Sequence, residues 1–200
     1  MQSLQWVEEW QHDVVHARRE DQLLPPDAHL FLISHGLPRV MIFECRNSFE
    51  ISFSPLGKEL TCFSAVVPSG EVDKDWDLQV IIGEELFSNG SASFCVHQQT
   101  GEVSRIDCKK PELLSFVNSS VVQFGKSLHV AMKWSEALHS NGTALSPKSC
   151  DVLAKELEAI DARAFQSQDT FWRNVIELYQ TNDTADFEIT NDPLRSKPRI

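Results

Sequence analysis

His12 and His16 stand four residues apart in HDVVH, a spacing that on a helix puts two imidazoles on one face and that differs from the zinc-protease H-E-x-x-H by one methylene in the acid. A metal site of that kind needs a third protein ligand. The pair is therefore read as part of a solvated helix face, and no metal is assigned. Cys95 and His97 lie two apart in a stretch read as a strand, so both side chains share a face, a conceivable thiolate and base. A cysteine nucleophile needs a lowered pKa and an oxyanion site, and no helix N-terminus or glycine-rich turn is aimed at it. A buried structural cysteine is expected instead. No G-x-S-x-G, Walker loop or dinucleotide fingerprint occurs, and the surroundings of Gly36 and Gly83 do not cradle phosphates. The expectation is a protein with no catalytic residues and no cofactor.

Binding chemistry is better represented. The segment EVDKDWDLQVIIGEE sets Glu71, Asp73, Asp75, Asp77, Glu84 and Glu85 against one Lys74, with Trp76 in their midst. An exposed aromatic ringed by carboxylates suits a basic protein partner, since desolvated aromatics supply binding energy and rim charges supply steering. These six acids and Trp76 form the candidate partner-binding set. The alternative is a solvated loop whose Trp76 tucks into the core. The whole chain carries 18 Lys and Arg against 29 Asp and Glu, a formal charge of −11. Nucleic acid is a poor partner for such a surface, because phosphate binding relies on basic patches that release counterions. A basic protein is attracted, with association rates raised about tenfold to a thousandfold at low salt.

The elements that must position these residues follow from periodicity. Leu4 to Val15 place Trp6, Val7, Trp10 and Val14 on one helical face. Asp27 is expected to cap a short helix ending at Gly36. From Val40 to Cys108 short runs rich in β-branched and aromatic residues read as strands at Val40–Cys45, Phe49–Phe53, Leu60–Val66, Leu78–Ile82, Ser93–His97 and Val103–Ile106, with a hairpin turning on Gly101. No helical pattern intervenes, so the sheet is expected to be mainly antiparallel. Helices return with Val121 to Leu138, capped through Ser120 and Gln123, then Cys150 to Ile160 and a last helix around Phe171 to Tyr179. The fold class is α+β, a mainly antiparallel central sheet covered by N-terminal and C-terminal helices.

At 200 residues and 42% hydrophobic content, residues 1–180 are expected to form a single domain, with 181–200 a polar, flexible tail. No stretch approaches the length of a membrane-spanning helix, and the N-terminus lacks a secretory leader pattern, so a cytoplasmic protein with no membrane association is expected. Five widely spaced cysteines without a C-x-x-C unit fit reduced thiols. The sequons at Asn89, Asn118, Asn141 and Asn182 read as turn and cap residues.

Three segments together carry a resemblance. LLPPDAHLFLISHGLPR is similar to a helix ending in a Gly-Leu-Pro turn. VIIGEELFSNGSASFCVHQQTGEVSRI is similar to a central strand, a Gly-acidic turn, a Cys-containing strand and a Gly-Glu-Val hairpin. FVNSSVVQFGKSLHVAMKW, followed by LAKELEAIDARAFQSQDTFWRNVIELY, is similar to a helix start and a closing helix. In this order and spacing, from Leu23 to Tyr179, the chain resembles the fourth family of the SUKH superfamily of bacterial immunity proteins, relatives of the yeast Smi and Knr regulators. The resemblance implies an antitoxin of a polymorphic or contact-dependent system, protecting the producing cell by direct stoichiometric binding of a cognate toxin, often a nuclease or deaminase. That toxin is expected to be basic, and the immunity protein a monomer. Asn118, Ser119, Gly101 and Asp161 are explicable as caps and turns, so the resemblance identifies a fold and not a reaction. The chain departs from its relatives after Cys95, where Val96, His97 and Gln98 replace acidic residues, so a shared partner surface is not implied. A Smi- or Knr-like scaffold binding cellular partners without a toxin is the alternative, and an enzyme using Cys95 and His97 the third.

Overall fold

Runs of Val, Ile and Phe build the sheet. The computed structural model of the chain describes residues 13–43, 49–66, 74–87, 90–112, 114–141 and 146–180. A two-stranded ribbon of β1 (Val14–Val15) and β2 (Leu37–Pro38) precedes a six-stranded sheet of β3 (Val40–Phe43), β4 (Phe49–Ser52), β5 (Gln79–Phe87), β6 (Gly90–His97), β7 (Val103–Asp107) and β8 (Leu114–Asn118). Each strand of the larger sheet pairs antiparallel with the next in sequence. The hairpin between β6 and β7 turns on Gly101, whose φ of 74° favours glycine and whose N–H donates to the His97 carbonyl at 2.9 Å.

Among the described residues four helices cover one face: α1 (Pro26–Ser34), α2 (Val121–Asn141), α3 (Pro147–Ile160) and α4 (Phe171–Gln180). Two begin with side-chain caps. Gln123 N–H donates to Ser120 Oγ at 3.2 Å, and Ser149 N–H to Ser146 Oγ at 3.2 Å. The core between sheet and helices is organised around Phe94, whose ring stacks on Phe124 at 5.6 Å and meets Phe171 edge-on at 5.2 Å. Such aromatic pairs add about 0.5–1.5 kcal/mol each beyond the area they bury. Trp172 is fully buried beside Phe171, and Leu128, Leu153 and Leu157 complete the packing.

The α+β class and the antiparallel sheet stand as expected, with several local differences. The opening helix does not reach Val15, because Val14 and Val15 pair with Pro38 and Leu37 as a strand; residues 1–12 of that helix lie outside the described residues. Asp27 sits in the first turn of α1 and makes no cap bond, since Pro25 takes the N-cap position. Leu60–Val66 is no strand: Cys62 forms one isolated bridge to Val80, and Phe63–Ala65 is a 3-10 turn. Gly83 lies within β5 at a bulge and in no turn. A Cβ there would stand 2.7 Å from the Phe53 ring, so glycine lets that buried ring lie against the strand. β8 has no counterpart among the expected strands.

Candidate partner interface

The sequence motifs at the two ends of the helical half meet in one buried polar cluster. Asp161, only 4% exposed, accepts hydrogen bonds from Ser119 N–H at 2.5 Å, Ser119 Oγ at 3.0 Å, Asn118 Nδ2 at 3.3 Å and Arg163 N–H at 3.2 Å. The indole N–H of Trp172 donates to Asn118 Oδ1 at 2.9 Å. These bonds tie the end of β8 to the α3–α4 connection, and every group is committed to the fold. The cluster is a clamp between β8 and the α3–α4 connection.

The nucleophile candidates are equally committed. Cys95 is fully buried, and burial pushes its thiol well above the ordinary range, which disfavours the thiolate that chemistry would require. His97 does share its face, but Nδ1 accepts the N–H groups of Gln99 and Thr100 at 3.2 and 3.3 Å in the Gly101 turn. His16 follows the strand β1 and is on no helix, so the helical i, i+4 geometry assumed for His12 and His16 does not reach it; His12 lies outside the described residues. Among the described residues, no group of three or more His, Cys, Asp or Glu is disposed to hold a metal ion. No helix among them is long and apolar enough to cross a membrane.

Clefts on the surface among the described residues include two. One, of about 390 Å³, lies between the start of α1, the Gly101 turn and the start of α2. Its hydroxyls are occupied by the fold: Thr100 Oγ1 accepts from Glu102 N–H at 3.3 Å, and Ser120 Oγ donates to Gln123 Oε1 at 2.9 Å. The other, of about 170 Å³, lies under α4 beside Phe49, Glu85 and Arg105.

The acidic segment divides. Register places Glu85 opposite the buried Ile51 and Ala92, on the helix-covered face, where it forms an ion pair with Arg105. Glu84, its neighbour in the strand, points to the opposite face and is exposed. Trp76 is half-buried, edge-on to Phe63 at 5.9 Å, in a small second core formed by Phe63, Ile81, Cys95 and Ile106. The expectation of one patch is corrected on two counts. Glu85 serves the interior side of the sheet, and Trp76 covers its outer side and does not stand free. Asp75 and Asp77 are exposed on the 3-10 turn Lys74–Leu78, while Glu71 and Asp73 lie outside the described residues.

What sequence reasoning missed is the outer face itself. Opposite the helices, Val40, Ser52, Glu84, Ser93, Ile106 and Leu114 form one cross-strand row, and Ile42, Glu50, Leu86 and Ser91 the next. Phe63 and Trp76 cover part of this face. Towards β3 it lies open, with Val40, Ile42 and Leu86 exposed by 40%, 55% and 56%. None of the ten side chains in the two rows is Lys or Arg. The signal was available in the burial-neutral run VMIF only once its register to Glu50 was known.

A family model described as SUKH-4 immunity protein matches residues 6–178. No curated protein and no solved structure matches the chain.

Proposed function

We propose that this chain, which belongs to the SUKH-4 immunity protein family, neutralises one cognate toxin by forming a stable one-to-one complex with it in the cytoplasm of the producing cell. The observation that carries this reading is the family match, which spans nearly the whole of the described fold. Physical features support a binding role over a catalytic one. The candidate thiol is buried and held protonated, and the polar cluster around Asp161 is closed by its own hydrogen bonds. A sheet braced by helices loses little conformational entropy on docking, which favours tight association. A nanomolar complex corresponds to about −12 kcal/mol.

The charge of −11 favours a basic toxin, of the kind that acts on nucleic acid, with Asp75, Asp77 and Glu84 as steering groups and Glu71 and Asp73 beside them in the sequence. Binding is assigned to the domain of residues 1–180, acting as a monomer.

Titration of the purified protein against the product of the toxin gene encoded beside it tests the proposal. Toxicity should vanish at equimolar ratio, with a single complex of the summed mass. Protection by a small fraction of an equivalent would mean turnover and would overturn the stoichiometric mechanism.

A further inference from the structure

The open part of the outer sheet face is built on paired strands and patterned with charge. Ile42, Glu50 and Leu86 are directly opposite one another on β3, β4 and β5, and Val40, Ser52 and Glu84 form the adjoining row. Neighbouring strands lie about 4.8 Å apart, so Ile42 and Leu86 flank Glu50 across roughly 10 Å. Neither Glu50 nor Glu84 has an ion-pair partner among the described residues. Two apolar side chains more than half exposed on rigid backbone, interleaved with unneutralised carboxylates, call for a surface that is apolar at its centre and cationic around it.

Resting on the immunity reading above, we propose that this face is where the toxin docks. Ile42 and Leu86 are the apolar anchors, and Glu50 and Glu84 pair with Lys or Arg side chains of a basic toxin surface. A second copy of this chain is the wrong occupant on charge: two faces bearing these carboxylates, each on a protein of charge −11, repel. The small core around Trp76 and Phe63 borders the open area and holds the exposed Asp75 and Asp77 beside it, so the acidic segment becomes the rim of the site and not its centre.

The test uses the full chain and the toxin encoded beside it, in four single variants. Ile42→Arg and Leu86→Arg place a cation where the toxin presents its own. Leu30→Arg, at a side chain 62% exposed on α1 in the helical layer, is the control for added charge, and Glu84→Lys tests the carboxylate. Melting temperature is recorded for each variant, with affinity by calorimetry and association rate at two salt concentrations. All four positions are exposed, so native melting is expected. Ile42→Arg and Leu86→Arg should each weaken the complex at least about thirtyfold, as loss of an interface anchor does, and Leu30→Arg should bind as the parent does. Glu84→Lys should slow association and flatten its salt dependence. Parent-like affinity of both arginine variants overturns the assignment of this face while leaving the immunity reading intact. Conversion of a dimeric parent to monomer by Leu86→Arg also overturns it, since the face would belong to a second copy. Absence of any parent complex with the toxin is a separate result, and it sinks the immunity reading itself.

Discussion

Replacing Asp161 is expected to cost more than any exposed substitution, and the size of the loss follows from its four donors. Ser119 N–H at 2.5 Å and Arg163 N–H at 3.2 Å are main-chain groups in partly buried positions, and each costs about 1–2 kcal/mol when its acceptor is taken away. Asn118 Nδ2 retains Ser127 Oγ at 3.3 Å, and half-buried Ser119 can turn its hydroxyl to water, so these two add little. Removing the carboxylate also removes the cost of keeping it from water. The balance for Asp161→Ala is about 3 kcal/mol, which in a protein of this size lowers Tm by roughly 6–12 °C. Asp161→Asn is the sharper probe. Each carboxylate oxygen accepts from two donors, so either orientation of the amide turns its NH2 against N–H or O–H groups. Asparagine should therefore destabilise nearly as much as alanine despite its matching shape. Urea unfolding followed by tryptophan fluorescence measures both, and an Asp161→Asn variant within about 0.5 kcal/mol of the parent would refute the clamp. Toxin binding below the melting range should be unchanged, because Asp161 lies in the helical layer.

Gly36→Ala should lose at least about 2 kcal/mol in the same assay, since φ is 69° and a Cβ would stand 2.5 Å from both Val14 Cγ1 and the Val15 carbonyl oxygen. Arg105→Leu should cost about 3 kcal/mol by leaving Glu85 buried without its cation, whereas the double change Arg105→Leu with Glu85→Leu should recover most of that loss in thermal melts. Cys95 should resist iodoacetamide at pH 8 until the protein is unfolded by urea, as mass spectrometry of the labelled peptides would show. The sign for stability follows from the raised thiol. Above the ordinary cysteine pKa of about 8.5 the unfolded chain gives up this proton while the native chain keeps it, so the contribution present below that pH declines as pH rises.

Periodicity made most of the architecture legible. Phe49, Ile51 and Phe53 alternate with polar neighbours, and all three prove buried. The recurrence through Val121, Phe124 and Leu128 likewise marks the buried side of α2. β8 escaped because its five residues run straight into the cap of α2, where Asn118 and Ser119 read as helix-start chemistry although their side chains reach Asp161. β5 was cut short at Ile82 because Gly83, Glu84 and Glu85 have low strand propensity; packing of Phe53 against Gly83 and pairing to both neighbours outweigh it. Ending the strand there hid the consequence for the acids. Adjacent strand residues face opposite ways, so Glu84 and Glu85 could never share a surface. The apolar run of β3 was silent on facing, since Val40 and Ile42 differ from Met41 and Phe43 only in what the partner strand and the helices supply.

A meander whose strands pair in the order of their synthesis can zip up as the ribosome delivers it, yet Phe94 waits for Phe171 before its pocket closes. At about 5–20 residues per second, the interval between those two phenylalanines is roughly 4–15 seconds, during which Phe94 has Phe124 over it but not yet the ring that closes its pocket. A chain cut short before the last helix thus lacks the Phe171 edge that closes the Phe94 pocket. The last ten described residues therefore decide when the interior is finished, although the sheet they finish was laid down long before.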